Sequence, residues 1–522
     1  METKLFLPPG VSSDATNPAM LPQAEKIWTF AEAAHLFNRA GFGGAPDQIR
    51  ALHAMGRIKA VDHLLAASDP PGAFPSPAWA GREQAEADAR EQQAARRTLQ
   101  TASAGKSEKE KEILRREFAR KYRQARRSRG LGAQAWWFNR ILATGTPLRE
   151  KMTLFWHDHF ATSMQKVDNP VFMLRQNELF RSHAFGSFRE LTGRVIRDPA
   201  MMLYLDTQSS KKRKPNENFA REVMELFTLG EGHYTEQDIR EAARAFTGYQ
   251  LNRITGAVFR NRRQADDTEK TIFGKTGNFM ADDVVALIFE KPQAARFITR
   301  KLWEYFVYEN PSEKAVNVMA DHFRRSGYQI APLLRGIFLS KEFYSERAIR
   351  TQIKSPVQFI VSLLKQCEIA APPVAFSLTA QQQLGQRLFV PPNVAGWDWG
   401  KAWINTNTLL TRYNIAGLVT TGNAGNFQIG GGKKSRMGGK KSRRGAALPG
   451  PDFEKIAPRP LRAEPQKLVD QLTLRFFQGS VPKKARDSFV AYATGKVGVV
   501  FTNTEVAELC HLMLSTPYYQ LC

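Results

Sequence analysis

A chain of 522 residues, 42% hydrophobic and 24% charged, has enough apolar surface to bury for one large domain or several, which excludes disorder as its main state. No window approaches eighteen uninterrupted apolar residues, so no hydropathic membrane span is expected. The net charge of +25 suits polyanionic partners, and the three cysteines, Cys367, Cys510 and Cys522, form no CxxC pair and no metal-binding spacing.

Residues 1–28 read as an N-terminal extension. Pro8-Pro9-Gly10 interrupts it, no apolar leader core is visible, and the default expectation is a cytoplasmic protein. From 29 to 420 the periodicity is helical almost throughout, giving a mainly α main domain of packed helical hairpins with at most a short β-hairpin near Tyr249 to Arg260. Within it, two helices flank a Gly-rich turn, the second starting at Pro46-Asp47 and ending at Gly56. Residues 82–127 are rich in Ala, Glu, Lys, Arg and Gln and predict a charged helical insertion, either exposed helices or an antiparallel pair turning near Ala104-Gly105.

The next stretch, Phe155-Trp156-His157-Asp158-His159-Phe160, holds two of the nine histidines around an aspartate. In a continuing helix, residues two apart point about 200° away from each other. His157 and His159 can therefore share a divalent metal only if the helix ends near Trp156 and the segment becomes extended. Glu222, Glu225 and Asp206 are candidates for the further ligands, with Glu222 the first choice, and core histidines bonded to backbone or carboxylates are the competing reading.

Pro215 to Tyr249 predicts a helical hairpin. Phe219, Val223, Leu226 and Phe227 form its core face, Gly230 and Gly232 stop the first helix, and Thr235 with Asp238 starts the second as a capping box. Glu222 and Glu225 are candidate acid/base groups, while Glu217, Arg221 and Glu225 at four-residue spacing could equally form an ordinary ion-pair ladder. Asn216 and Arg221 are candidate substrate-binding groups on the same hairpin.

Pro391 to Asn414 packs three tryptophans among prolines and glycines, which predicts a shaped loop. Trp397, Trp399 and Trp403 would suit stacking on sugar rings, with Asn405 for hydroxyls; an aromatic plug is the alternative. Residues 421–450 form a basic Gly-rich loop whose seven cations between Lys433 and Arg444 suit an anionic polymer or nucleic acid, or simply a solvated loop. A C-terminal helical segment, 451–522, is expected to pack on the main domain.

These stretches carry a resemblance. "AAHLFNRAGFGG", "REKMTLFWHDHFATS", "NENFAREVMELFTLGEGHYTEQDIREAARAFTGY", "FGKTGNF", "DDVVALIFEKPQAARFITRKLWEYFV" and "PPNVAGW" with "WINTNTLL" resemble the bacterial family catalogued as domain of unknown function 1800. The resemblance implies an all-helical protein, often encoded beside a partner that is similar to the alkaline-phosphatase superfamily and carries a twin-arginine leader. Export in complex with such a partner is then the alternative to a cytoplasmic location. Two positions depart from the family pattern: Tyr249 stands where Trp is usual, and Ala265 precedes Asp266 where a histidine would align. The functions that follow are a hydrolase of a glycan or other envelope polymer using Glu222, Glu225, His157 and Asp158, a non-catalytic assembly protein acting with the phosphatase-like partner, or a polyanion binder.

Overall fold

The computed structural model describes residues 21–24, 27–423, 448–498 and 501–522. The chain is mainly α: among the described residues there are 24 helices and two two-stranded antiparallel ribbons. The basic stretch Lys433 to Arg444 lies outside the described residues.

Local chemistry places most helix ends. Thr29 caps the helix Phe30–Arg39 and Thr235 caps Glu236–Ala245, each in a reciprocal capping box with the acid three residues on. Gly230, at φ 80°, ends the preceding helical stretch, which runs Glu217–Met224 and then passes through a π-helical turn over Glu225–Leu229. Gly248 closes the hairpin at φ 83°. A Cβ there would lie 2.7 Å from that of Ala265, so both conformation and space require glycine. Ala265 is itself buried under this glycine.

The charged insertion is an antiparallel pair turning at Gly105, as one of the two sequence readings has it. Its second helix does not stop near 127 but continues to Ala143, because no proline intervenes and Gly130 and Gly132 are accommodated within it. Its final turns carry Trp137, Phe138 and Ile141 into the core. Tyr249–Leu251 pairs with Val258–Arg260. A second ribbon, Lys270–Ile272 with Lys275–Gly277, turns through Phe273 and Gly274, both at positive φ, in a stretch where alternation is too short to predict a strand.

One hydrophobic cluster runs from Leu21 to Tyr519 and takes in Leu468, Leu472, Leu509 and Met513 of the C-terminal helices. Its axis is the helix Pro147–His159, eleven of whose residues are buried. That helix is pinned by an ionic knot. The fully buried Glu150 accepts hydrogen bonds from Arg181 Nε at 2.5 Å, Arg140 Nε at 2.8 Å and Trp137 Nε1 at 3.0 Å. Removing one member of a buried pair leaves the other charge uncompensated. Glu150→Gln is expected to lower unfolding free energy by about 3 kcal/mol, read from the urea midpoint at unchanged slope.

Candidate functional site

The helix bearing FWHDHF is unbroken through His159, and its three central side chains diverge. His157 is sealed among aromatic rings: Trp137 at 5.4 Å, Phe389 at 5.5 Å, Trp397 at 5.8 Å and Phe180 at 6.2 Å between centroids. Among the described residues neither ring nitrogen has a hydrogen-bond partner, and burial pushes its pKa down to about 3, so the ring stays neutral. His159 turns the other way. Its Nε2–H donates to the Phe227 carbonyl at 3.0 Å, which leaves Nδ1 as an acceptor 3.4 Å from Lys301 Nζ. Burial and the Lys301 charge hold its pKa well below the usual histidine value.

Asp158 lies between them and faces the tryptophan loop. Its Oδ1 accepts the Trp397 backbone N–H at 2.7 Å, and burial pushes the carboxyl up to about 7 despite that bond, the nearby Lys301 charge and a hydrogen bond from Trp399. Gly396, at φ 91°, brings the loop so close that a Cβ there would overlap the Asp158 carboxylate. The three tryptophans do not make one platform. Trp397 is buried, Trp403 is half-buried, and Trp399 is 44% exposed with its ring edge-on to Tyr305 at 4.9 Å. Asn405 is the N-cap of the helix Thr406–Thr421, its side chain accepting from Thr408 N at 3.0 Å.

On the hairpin, Arg221 does not join a ladder with Glu217 and Glu225. It makes a two-pronged pair with Glu236 at 2.8 Å for each bond, because the bend brings the second helix's first turn alongside. Glu225 accepts the Tyr234 hydroxyl. Asn216 caps the Glu217–Met224 helix at Phe219 N (3.1 Å) and donates to the Leu205 carbonyl at 2.8 Å. Glu222 remains: half-buried, with its pKa raised first by burial and then by the Glu225 charge. The conditional metal set His157, His159 and Glu222 is not assembled. His157 sits in its aromatic cage while His159 is bonded to Phe227, and among the described residues no three His, Cys, Asp or Glu are grouped to hold an ion.

The structure adds residues that the sequence reading did not single out. Phe297, Lys301 and Tyr305 stand at four-residue spacing on the helix Pro292–Phe306. His159 is near Phe297 and Lys301, and Phe155 is near Tyr305. Their i, i+4, i+8 spacing was a visible signal of a shared face. Burial lowers the Lys301 pKa, and the Asp158 charge opposes that shift.

Fold and motifs together define a mainly helical protein with a titratable centre covered by an aromatic loop. The chain belongs to the family described as protein of unknown function (DUF1800), whose model matches residues 35–521. Comparison with curated proteins and with solved structures returned no match. Among the described residues no helix is long and apolar enough to cross a membrane.

The His157 cage has a pH signature. A histidine held neutral to about pH 3 when folded, but protonating near 6.5 when unfolded, makes the unfolded state bind more protons in that window. Its contribution to stability therefore falls as pH drops below about 6.5. His157→Phe should gain about 2 kcal/mol relative to wild type between pH 8 and pH 5, measured by urea unfolding at both pH values.

Proposed function

We propose that this chain is a binding and assembly protein whose helical core presents an apolar face to a protein partner. The observation that carries the reading is on the helix Thr406–Thr421, which follows the tryptophan loop. There Leu409, Leu410 and Tyr413 are 43%, 49% and 50% exposed. Leu512 is also exposed, on the helix Asn503–Leu514 that packs beside it, where Tyr413 meets His511 at 4.5 Å. Apolar groups gathered in this way on water-facing helices are suited to an interface. The motif residues, by contrast, mostly engage one another: His157 with its aromatic cage, Asp158 with Trp397, Glu225 with Tyr234, Arg221 with Glu236. Cavities of about 690 and 130 Å³ are lined by other residues.

The occupant this reading commits to is the phosphatase-like protein that the family resemblance implies as a neighbour. Leu409→Asp with Tyr413→Asp should weaken co-purification with that protein by about 30-fold or more, as for loss of an interface anchor, with the melting temperature little changed. Retention of the complex at wild-type strength would count against the reading.

A second reading has one observation in its favour. Asp158 and Glu222 are both carboxyls with raised pKa, and Asp158 lies beside the loop that exposes Trp399. A proton donor beside an aromatic ring suits hydrolysis of a glycan or other envelope polymer, with Asp158 protonating a leaving oxygen and Trp399 stacking on a sugar ring. Independently of activity, the raised pKa has a consequence. The folded state keeps a proton that the unfolded chain loses above pH 4, so Asp158 costs stability as pH rises from about 4 to about 7. Asp158→Asn should therefore be more stable than wild type at pH 8 by on the order of 2–4 kcal/mol relative to the same comparison at pH 4. A release assay for reducing ends on envelope polysaccharide, lost in Asp158→Asn and Glu222→Gln, would favour the hydrolase.

A further inference from the structure

Two short basic runs lie far apart in the sequence: Lys211 to Lys214, four cations in succession, and Arg262-Arg263. Either alone is ordinary solvated charge. The fold brings them together. Lys211 and Lys214 exchange backbone hydrogen bonds at 3.2 and 2.7 Å, which closes the first run into a tight turn. The Lys212 N–H fastens that turn to the second run by donating to the Gln264 carbonyl at 2.8 Å, and the Gly248 N–H holds the Ser210 carbonyl at 3.0 Å. All six side chains are exposed, and among the described residues none of them forms an ion pair. Asp206, Asp266 and Asp267 nearby in the chain are engaged by Lys166, Arg244 and Arg260. Glu217 and Glu269 are the acids of these stretches left without an ion pair among the described residues.

An aromatic ring completes this surface. Phe259, on the strand Val258–Arg260, is 51% exposed, more than any other phenylalanine, tyrosine or tryptophan among the described residues. Its register partner is Gln250, so the two side chains share one face of the ribbon. Gln250 Nε2 in turn donates to Gln264 Oε1 at 2.8 Å, and Gln264 is the residue whose carbonyl carries the lysine turn. Ring, amides and cations therefore form one continuous strip.

We propose that this strip binds single-stranded nucleic acid, with Phe259 stacking on an unpaired base and the two basic loops holding the phosphates. Six cations in adjoining loops repel one another, and a polyphosphate chain replaces that repulsion with attraction while releasing its own counterions. The ring supplies what charge alone does not: base–aromatic stacking, which needs a base outside a duplex. Gln250 and Gln264 decide between nucleic acid and an anionic membrane. Their amides suit the edges of a base, whereas inserting Phe259 among lipid chains would strip those amides of water. The strip shares no residue with the helix Thr406–Thr421 or with the basic stretch Lys433 to Arg444.

The test titrates the full chain into a fluorescein-labelled oligothymidylate of about 15 nucleotides, followed by anisotropy at several salt concentrations. Saturable binding is expected. Phe259→Ala should weaken it at least ~5-fold with the salt slope unchanged, as for loss of one stacked base. Arg213→Gln with Arg262→Gln should weaken it and reduce the log–log salt slope by about 1.4, since each phosphate contact on a single strand contributes about 0.7. Both variants change exposed side chains, and the melting temperature checks that they fold. Absence of saturable binding by the wild type would overturn the proposal, as would full affinity in Phe259→Ala. A salt slope undiminished in the arginine variant, but reduced when Lys440, Lys441, Arg443 and Arg444 are changed to Gln, would place the phosphates on the other basic stretch and overturn it too. Equal affinity for a duplex of the same length would overturn the single-strand assignment. Phe259-dependent pelleting with phosphatidylserine vesicles, without Phe259-dependent binding of the oligonucleotide, would overturn the proposal in favour of a membrane.

Discussion

A helix buried on nearly every side must satisfy a different neighbour on each face, and this constraint governs the centre of the molecule. The helix Pro147–His159 is threaded through the core with Glu150 locked to two arginines near its start and three consecutive polar residues at its end. Successive residues on a helix are turned by about 100°, so His157, Asp158 and His159 must meet three different neighbourhoods. One meets aromatic rings, one a backbone N–H of a distant loop, and one a carbonyl and an ammonium. A shared metal between the two histidines is thereby replaced by three separate packing tasks.

The same geometry links the motifs to one another. Asp158 reaches 239 residues along the chain to hold the tryptophan loop, and Trp397 of that loop returns to cover His157. His159 ties the helix to the π-helical turn that carries Phe227, and Lys301 approaches from a third helix. Motifs widely separated in sequence thus behave as one contact network. Substitutions in it are expected to disturb loop position and stability together.

Electrostatics then divides the protein into two regimes. Where carboxylates are present, as at Glu150 and Glu368, buried arginines are matched directly. Around Lys354 the buried cations bond carbonyl and amide oxygens of the chain, and Cys522 raises the pKa of both Lys354 and Arg39.

Helix content, the capping box at Thr235, the stop at Gly230 and the turn at Gly105 were legible in the sequence, because each is decided within a few residues by backbone dihedrals and local hydrogen bonds. So was the family, since its motifs are long. The partners of the chemistry-bearing residues were not. Periodicity shows which side chains share a helix face but not how deep that face lies or what is packed on it. Arg221 could read as a rung between Glu217 and Glu225 until the hairpin placed Glu236 against it, and Trp397 and Trp399 were alike until packing buried one and exposed the other. FWHDHF by itself determined only that, in a continuing helix, its two histidines diverge. Only the tertiary structure decided that His157 would be sealed, Asp158 would clamp a loop and His159 would face Lys301, because those environments are built from segments up to 240 residues away.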